Sequence, residues 1–400
     1  MAREYRLALL NLNRDRWLLL GARGLRAFGF GFAAVLIGLL LESKGLSPGL
    51  IGLALGVGLA ASSLSGLAAV ALTATLGRRR TLGLVGLLMA LTGLDLALAT
   101  HPVLLVLAGV TGMLGAASID LGPFAPVEQA ALAEVVPAAG RNLAFGRYSM
   151  SGGLFNAAGG LAATVAAGGG RAFFFLYALI GVATAVLPLF LSARVESETR
   201  PSVFGALKDR ATFGVLARLS ALFALDSFAG GFVTNAVVAY WLHVRFGVGP
   251  QVLGPVFAGV AILQSISYEI SGRLSVRIGL INTMVFTHLP SNVLLLFVAF
   301  SPSIGWAIPL LYARFLLSQM DVPARQAYVV SIVPPADRGA AVAWTGAVRG
   351  VAQAFGPVLA GIAIGAAAFG IPFYIAGGLK IVYDLALFAG FRNRRADHEI

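Results

Sequence analysis

Ten long apolar runs, at 27–41, 50–72, 82–100, 103–119, 154–167, 172–193, 250–264, 293–313, 350–369 and 370–391, dictate the solvent in which this chain folds. At about 1.5 Å per helical residue, several are long enough to cross a hydrocarbon core ~30 Å thick. Hydrophobic residues make up 58% of the chain and charged residues 12%, too few charges to coat a water-facing surface of this size. The runs are continuous rather than alternating, which excludes a membrane β-barrel. An all-α polytopic membrane protein is expected, with about twelve transmembrane helices at 17–42, 50–73, 82–100, 103–130, 142–167, 172–193, 212–243, 250–271, 281–300, 303–331, 341–367 and 370–391.

The formal charge of +12 reads as topology. On this map one set of alternate loops and tails holds Arg14, Arg16, Arg78, Arg79, Arg80, Arg141, Arg194, Arg273, Arg277, Arg338 and the basic stretch at 392–395, whereas the opposite set holds Lys44, Arg171 and Arg245 alone. Basic segments resist translocation, so both termini and the 194–211 connector are expected in the cytoplasm, and the protein in the cell membrane. No nucleic-acid signature accompanies the charge. With no cysteine, disulfides and thiolate metal sites are excluded. The four histidines form no metal-ligand pattern, no glycine-rich loop ends in Lys-Ser/Thr, and no serine elbow is present. Neither an enzyme nor a cofactor is expected.

The chain is also duplicated. Residues 129–141 are answered by 326–338, Pro48 through Gly52 by Pro250 through Gly254, and Leu76-Gly77 by Ile278-Gly279. Two parallel six-helix repeats follow, with an N-terminal bundle at 1–193, a linker at 194–211 and a C-terminal bundle at 212–400. The loop after the second helix ends Gly77-Arg78-Arg79-Arg80, and the loop after the eighth reads Gly272-Arg273-Leu274-Ser275-Val276-Arg277-Ile278-Gly279. In these two loops, and in the duplicated plan across nearly its whole length, the chain resembles the major facilitator superfamily. Ala74 and Val276 stand where that family usually carries Asp. The resemblance implies gating at Gly77, Arg78, Arg79, Arg80, Gly272, Arg277 and Gly279, against Glu134, Glu196 or Glu198, with retention at lipid headgroups as the alternative. It also implies that the first, fourth, seventh and tenth helices line a central pathway. Gly356-Pro357 in the eleventh helix is similar to the Gly-Pro step of multidrug-efflux-like antiporters; close helix packing is the other explanation.

Ionisable groups deep in apolar sequence carry the rest, because they must face the bundle interior or pair. Asp120 is the preferred proton carrier, followed by Asp226 and Glu128. Arg23, Arg26, Phe28, Phe32, Asp321, Arg325, Tyr328 and Arg349 are the candidate substrate contacts. Asp321 with Arg325, and Lys380 with Asp384, are spaced for pairs along one helix face. Pro123, Pro126 and Pro323 predict helix breaks beside the cavity. Arginines outnumber carboxylates on the pathway helices, which points to an anionic or zwitterionic amphipathic solute. The expected function is a monomeric, proton-coupled exporter of a small amphipathic organic solute working by alternating access among membrane lipids. Uniport or uptake of an organic anion is the rival, and a non-transporting binding or assembly protein on the same scaffold is another.

Overall fold

A computed structural model describes residues 2–115, 122–136, 141–166, 170–196, 210–331 and 338–392. Asp120, most of the expected linker and the loops at 137–140 and 332–337 lie outside the described residues. The helices are α1 (Ala2–Ser43), α2 (Pro48–Leu98), α3 (Pro102–Leu107), α4 (Phe124–Val135), α5 (Arg141–Ala162), α6 (Arg171–Val186), α7 (Arg210–Gly231), α8 (Asn235–Phe246), α9 (Pro250–Ile278), α10 (Leu280–Ala299), α11 (Ile304–Ser318), α12 (Asp321–Ser331), α13 (Arg338–Gly365) and α14 (Ile371–Phe391). They build the all-α, twelve-span bundle of two parallel six-helix repeats. Eight stretches among the described residues are long and apolar enough to cross a membrane. Leu84, Leu87, Leu91, Leu94 and Leu98 point outward at helical spacing, as a lipid-facing stripe must.

The same local signals open and close matching elements in the two repeats. Ser47 caps α2, with Pro48 as its first residue, and Gly249 precedes Pro250 at the start of α9. Proline suits a first turn, whose N–H groups have no helical acceptor. Gly77 (φ 79°, ψ 165°) divides α2 into two spans, and Gly279 (φ 85°, ψ 162°) divides α9 from α10. Only glycine adopts that backbone without strain.

Three expected spans are interrupted. The fourth passes through α3, a 3₁₀ turn at Ala108–Thr111 and left-handed Gly112 and Gly115 before α4 begins. The seventh breaks between α7 and α8, where Thr234 accepts the Val237 N–H at 3.3 Å. The tenth breaks at 319–320. Of the three prolines that the sequence placed at breaks, Pro123 stands at one, immediately before α4, whereas Pro126 and Pro323 are each the third residue of the helix that follows. There the missing N–H removes no helical bond, so each proline starts a helix instead of ending one.

Backbones approach through glycine. Gly31 meets Asn156 and Gly159 meets Phe28 where α1 crosses α5; Gly52 meets Pro357 and Gly361 where α2 crosses α13. With lipid outside, such small-residue contacts supply close helix packing. The two halves meet at the Ser47 face and inward as far as Ser63 against Gly350 and Gly153 against Ser265.

Candidate functional site

In the first repeat, α1 and α4 bring Arg26 to Glu128. Both terminal guanidinium nitrogens donate to the carboxylate, at 2.6 and 2.5 Å, and the pair is 2% exposed. Tyr148 of α5 donates to the same carboxylate at 2.8 Å. The Arg26 guanidinium lies 4.0 Å over Phe124, and Arg23 lies 4.6 Å over Tyr148. A bidentate, charge-assisted pair in low dielectric fixes α4 against α1.

The second repeat holds a counterpart with its signs reversed. Arg325, which answers Glu128 in the duplication, bonds Asp321 at 2.8 Å and Asp226 of α7 at 3.4 Å. The expected Asp321–Arg325 pair is therefore present, but Lys380 turns away from Asp384 and bonds Asp226 at 2.6 Å. Asp384 instead accepts from Asn292 at 2.9 Å and meets His288 Nδ1 at 2.9 Å. The His288 Nε2 lies 3.9 Å from Asp226. All of these side chains are buried. At the matching positions of the first repeat the helices meet through small residues: Gly86 packs on Ala185 and Gly181 on Ala90.

Two arginines of the second repeat are less completely satisfied. Arg349 of α13 is half-buried and donates through Nε to Ser227 of α7 at 3.0 Å. Arg314 of α11 is 5% exposed, 4.7 Å over Phe315, and neither its Nε nor its Nη1 has a protein acceptor. Of the expected aromatic contacts, Phe28 is half-buried and packs edge-on to Phe32, Phe32 is fully buried among Phe28, Phe173 and Tyr177, and Tyr328 is fully buried beside Phe391.

The expected gate residues make a clamp. Glu196 accepts the Arg78 and Arg79 N–H groups at 2.6 and 3.1 Å, capping the helix that restarts after Gly77. Arg78 also reaches Glu134 at 3.3 Å and the Val195 carbonyl at 2.7 Å, while Arg79 bonds the Leu189 carbonyl at 2.7 Å. Every one of these partners precedes the second repeat. Arg80 is exposed. In the second copy Gly272 lies within α9, Arg273 pairs with Glu269 at 2.9 Å, and Arg277 is exposed in the last turn before Gly279.

At the Ser47 face a contact joins the repeats. His243 of α8 holds Glu42 of α1 at 3.0 Å through Nε2, and its Nδ1 faces the Val248 carbonyl at 2.8 Å. Both ring nitrogens meet acceptors, a geometry that the doubly protonated imidazole satisfies. Sequence reasoning weighed His243 and His288 only as metal ligands. Their partners lie 201 and 96 positions away, so spacing offered no signal beyond a histidine standing within an apolar run.

The profile of the Major Facilitator Superfamily matches residues 19–318 and 221–399. An uncharacterised membrane protein of Saccharomyces cerevisiae is 24% identical over 419 residues, covering 94% of this chain and 93% of that protein. Among solved structures, the nucleoside transporter NupG aligns with a TM-score of 0.72 at 15% identity, over 95% of this chain and 99% of its own. A D-xylose-proton symporter aligns with a TM-score of 0.68 at 16% identity, over 94% and 97% of the two chains. At these identities the structural likeness is one of fold.

Proposed function

The chain belongs to the Major Facilitator Superfamily, and on that premise we propose that it is a secondary active transporter which takes up a small organic anion together with protons by alternating access of its two six-helix halves. The observation that carries the anion is Arg314. Arginine keeps its charge in proteins, and here two of its donors are buried without a protein acceptor. An unmet donor set in low dielectric favours a carboxylate, sulfonate or phosphate oxygen pair. Arg349 adds a second half-buried cation within electrostatic reach of the same cluster. Arg26 and Arg325, by contrast, are already held by Glu128, Asp226 and Asp321.

Uptake with protons is favoured over export. Gly356-Pro357, the residues that resemble an antiporter step, are accounted for by packing: Gly356 lies on Gly231 of α7 and the Pro357 carbonyl on Gly52 of α2. The buried, acid-rich network around Asp226 is chemistry suited to proton coupling, and one protein of like fold is named a proton symporter.

The test is flux into proteoliposomes, with benzenesulfonate as the anionic probe and benzenesulfonamide as its neutral match. A sulfonate stays ionised, so a pH gradient does not concentrate it by passive diffusion, and protein-free vesicles set the baseline. Acid outside is expected to drive sulfonate accumulation that a protonophore abolishes. Arg314→Gln is expected to weaken the probe's apparent affinity about tenfold or more, the loss of one charge-assisted contact. Preference for the sulfonamide, or accumulation only when the gradient is reversed, overturns the proposal.

A further inference from the structure

The buried side chains of the second repeat form one connected chain. Asp321 meets Arg325, Arg325 meets Asp226, Asp226 meets Lys380 and stands 3.9 Å from His288, and His288 meets Asp384. Within that chain three carboxylates face the cations Arg325 and Lys380, with Arg314 and Arg349 within electrostatic reach of Asp226. The contact that needs a titratable proton is that of His288 with Asp384. The His288 Nδ1 and the Asp384 Oδ1 are 2.9 Å apart, and Asn292 holds the other Asp384 oxygen at 2.9 Å. A hydrogen between that nitrogen and that oxygen is required by the contact itself, whichever atom carries it.

We infer that the His288–Asp384 pair, between α10 and α14, is the proton-binding site of the second repeat, and that Asp226 links its occupancy to the anion-seeking arginines. The inference rests on the transport reading above for its coupling, but not for the proton site. The surrounding charges set its behaviour. Asp226 on α7 favours the extra proton; Lys380 on α14 and Arg325 on α12 are balanced by Asp226 and Asp321. Arg314 on α11 and Arg349 on α13 stand outside the hydrogen-bonded chain and oppose the proton, while Tyr383 on α14 is a neutral neighbour. On α9 the charged groups are Glu269 and Arg273, an exposed pair that closes on itself, and Arg277, exposed in the last turn. An anion bound at Arg314 or Arg349 cancels the opposing charge, so anion and proton each strengthen the binding of the other, as linkage demands. The His288–Asp384 pair then lies on helices outside the four that the resemblance places along the central pathway.

The experiment uses the full-length protein with His101, His243 and His398 changed to Gln, which leaves His288 as the one imidazole of four. Ring-nitrogen NMR on the ¹⁵N-histidine-labelled protein is read across about pH 5 to 9, the range in which imidazole charge changes. A pH-dependent signal is expected, with Asp384→Asn moving its midpoint by at least about tenfold in proton affinity. Asn292→Ala, which removes uncharged hydrogen-bonding contacts to Asp384 and to His288 Nδ1, is expected to move it less. A flat signal, or a midpoint indifferent to both substitutions, overturns the proton site. Saturating benzenesulfonate is expected to raise the proton affinity in the parent. A site that titrates normally yet ignores the sulfonate overturns the coupling, and with it the anion reading, while leaving the proton site in place.

Discussion

Glu128 is held at both carboxylate oxygens by Arg26 and shares one of them with Tyr148. Neutralising it leaves a guanidinium that is 2% exposed with no compensating charge. Glu128→Gln is expected to cost about 3–5 kcal/mol of stability, the usual penalty for breaking a buried pair from one side. Replacing both partners, as in Arg26→Met with Glu128→Leu, should recover most of that loss. Thermal unfolding in detergent, followed by size-exclusion fluorescence, separates the two outcomes: equal destabilisation by the single and double variants would show that the pair adds no interaction. At this scale the sequence showed which residues must be buried and satisfied, since Arg23, Arg26, Glu128, Asp226, Asp321 and Arg325 all stand in apolar context and all are buried. It showed partners only within a helical turn. Asp321–Arg325 was legible at four positions' separation; Arg26–Glu128, 102 positions apart, and Asp226–Lys380, 154 apart, were not.

Helices in this protein are positioned by what their glycines permit. A Cβ at Gly159 would run into the Phe28 carbonyl of α1, whereas a Cβ at Gly21 would meet nothing within 4 Å. Gly159→Leu is therefore expected to abolish the monodisperse folded peak and Gly21→Leu to leave it unchanged, in the same expression and chromatography assay. The turn at Gly77 offers a graded version. Ala there adds a positive-φ strain of about 1–3 kcal/mol and sets a methyl 2.9 Å from the Glu196 carboxylate; Glu196→Gln keeps the cap's shape and loses only its charge. The Ala variant should melt at the lower temperature. Element existence was plain from apolar runs, and the duplication located matching starts at Pro48 and Pro250. The break before α12 was placed a few residues too far along because a proline marks either end of an interruption equally well, and the glycines at 112 and 115 that turn the chain are two among fifty.

For the molecule as a whole, the charge asymmetry of the loops becomes a physical test, because the chain has no cysteine. Single cysteines at Ser47 and Arg79 lie on opposite faces of the bundle. With the arginine-rich loops in the cytoplasm, the first should react with an impermeant maleimide from outside and the second only after the membrane is opened. Labelling of both from one side contradicts the proposed topology. Between those faces, the halves are joined at the Ser47 end by packing of α2 on α13 and by the pair of Glu42 and His243. That pair forms only while the halves are together there, so its free energy weights one conformation and not the other. At 40% and 31% side-chain exposure it is screened, and about 0.5 kcal/mol is a reasonable size, a little over twofold in the ratio of conformers. The protein thus carries a small thumb on its own scale; His243→Gln should remove it and shift the conformer ratio seen by single-molecule fluorescence transfer across the Ser47 face toward the state open there.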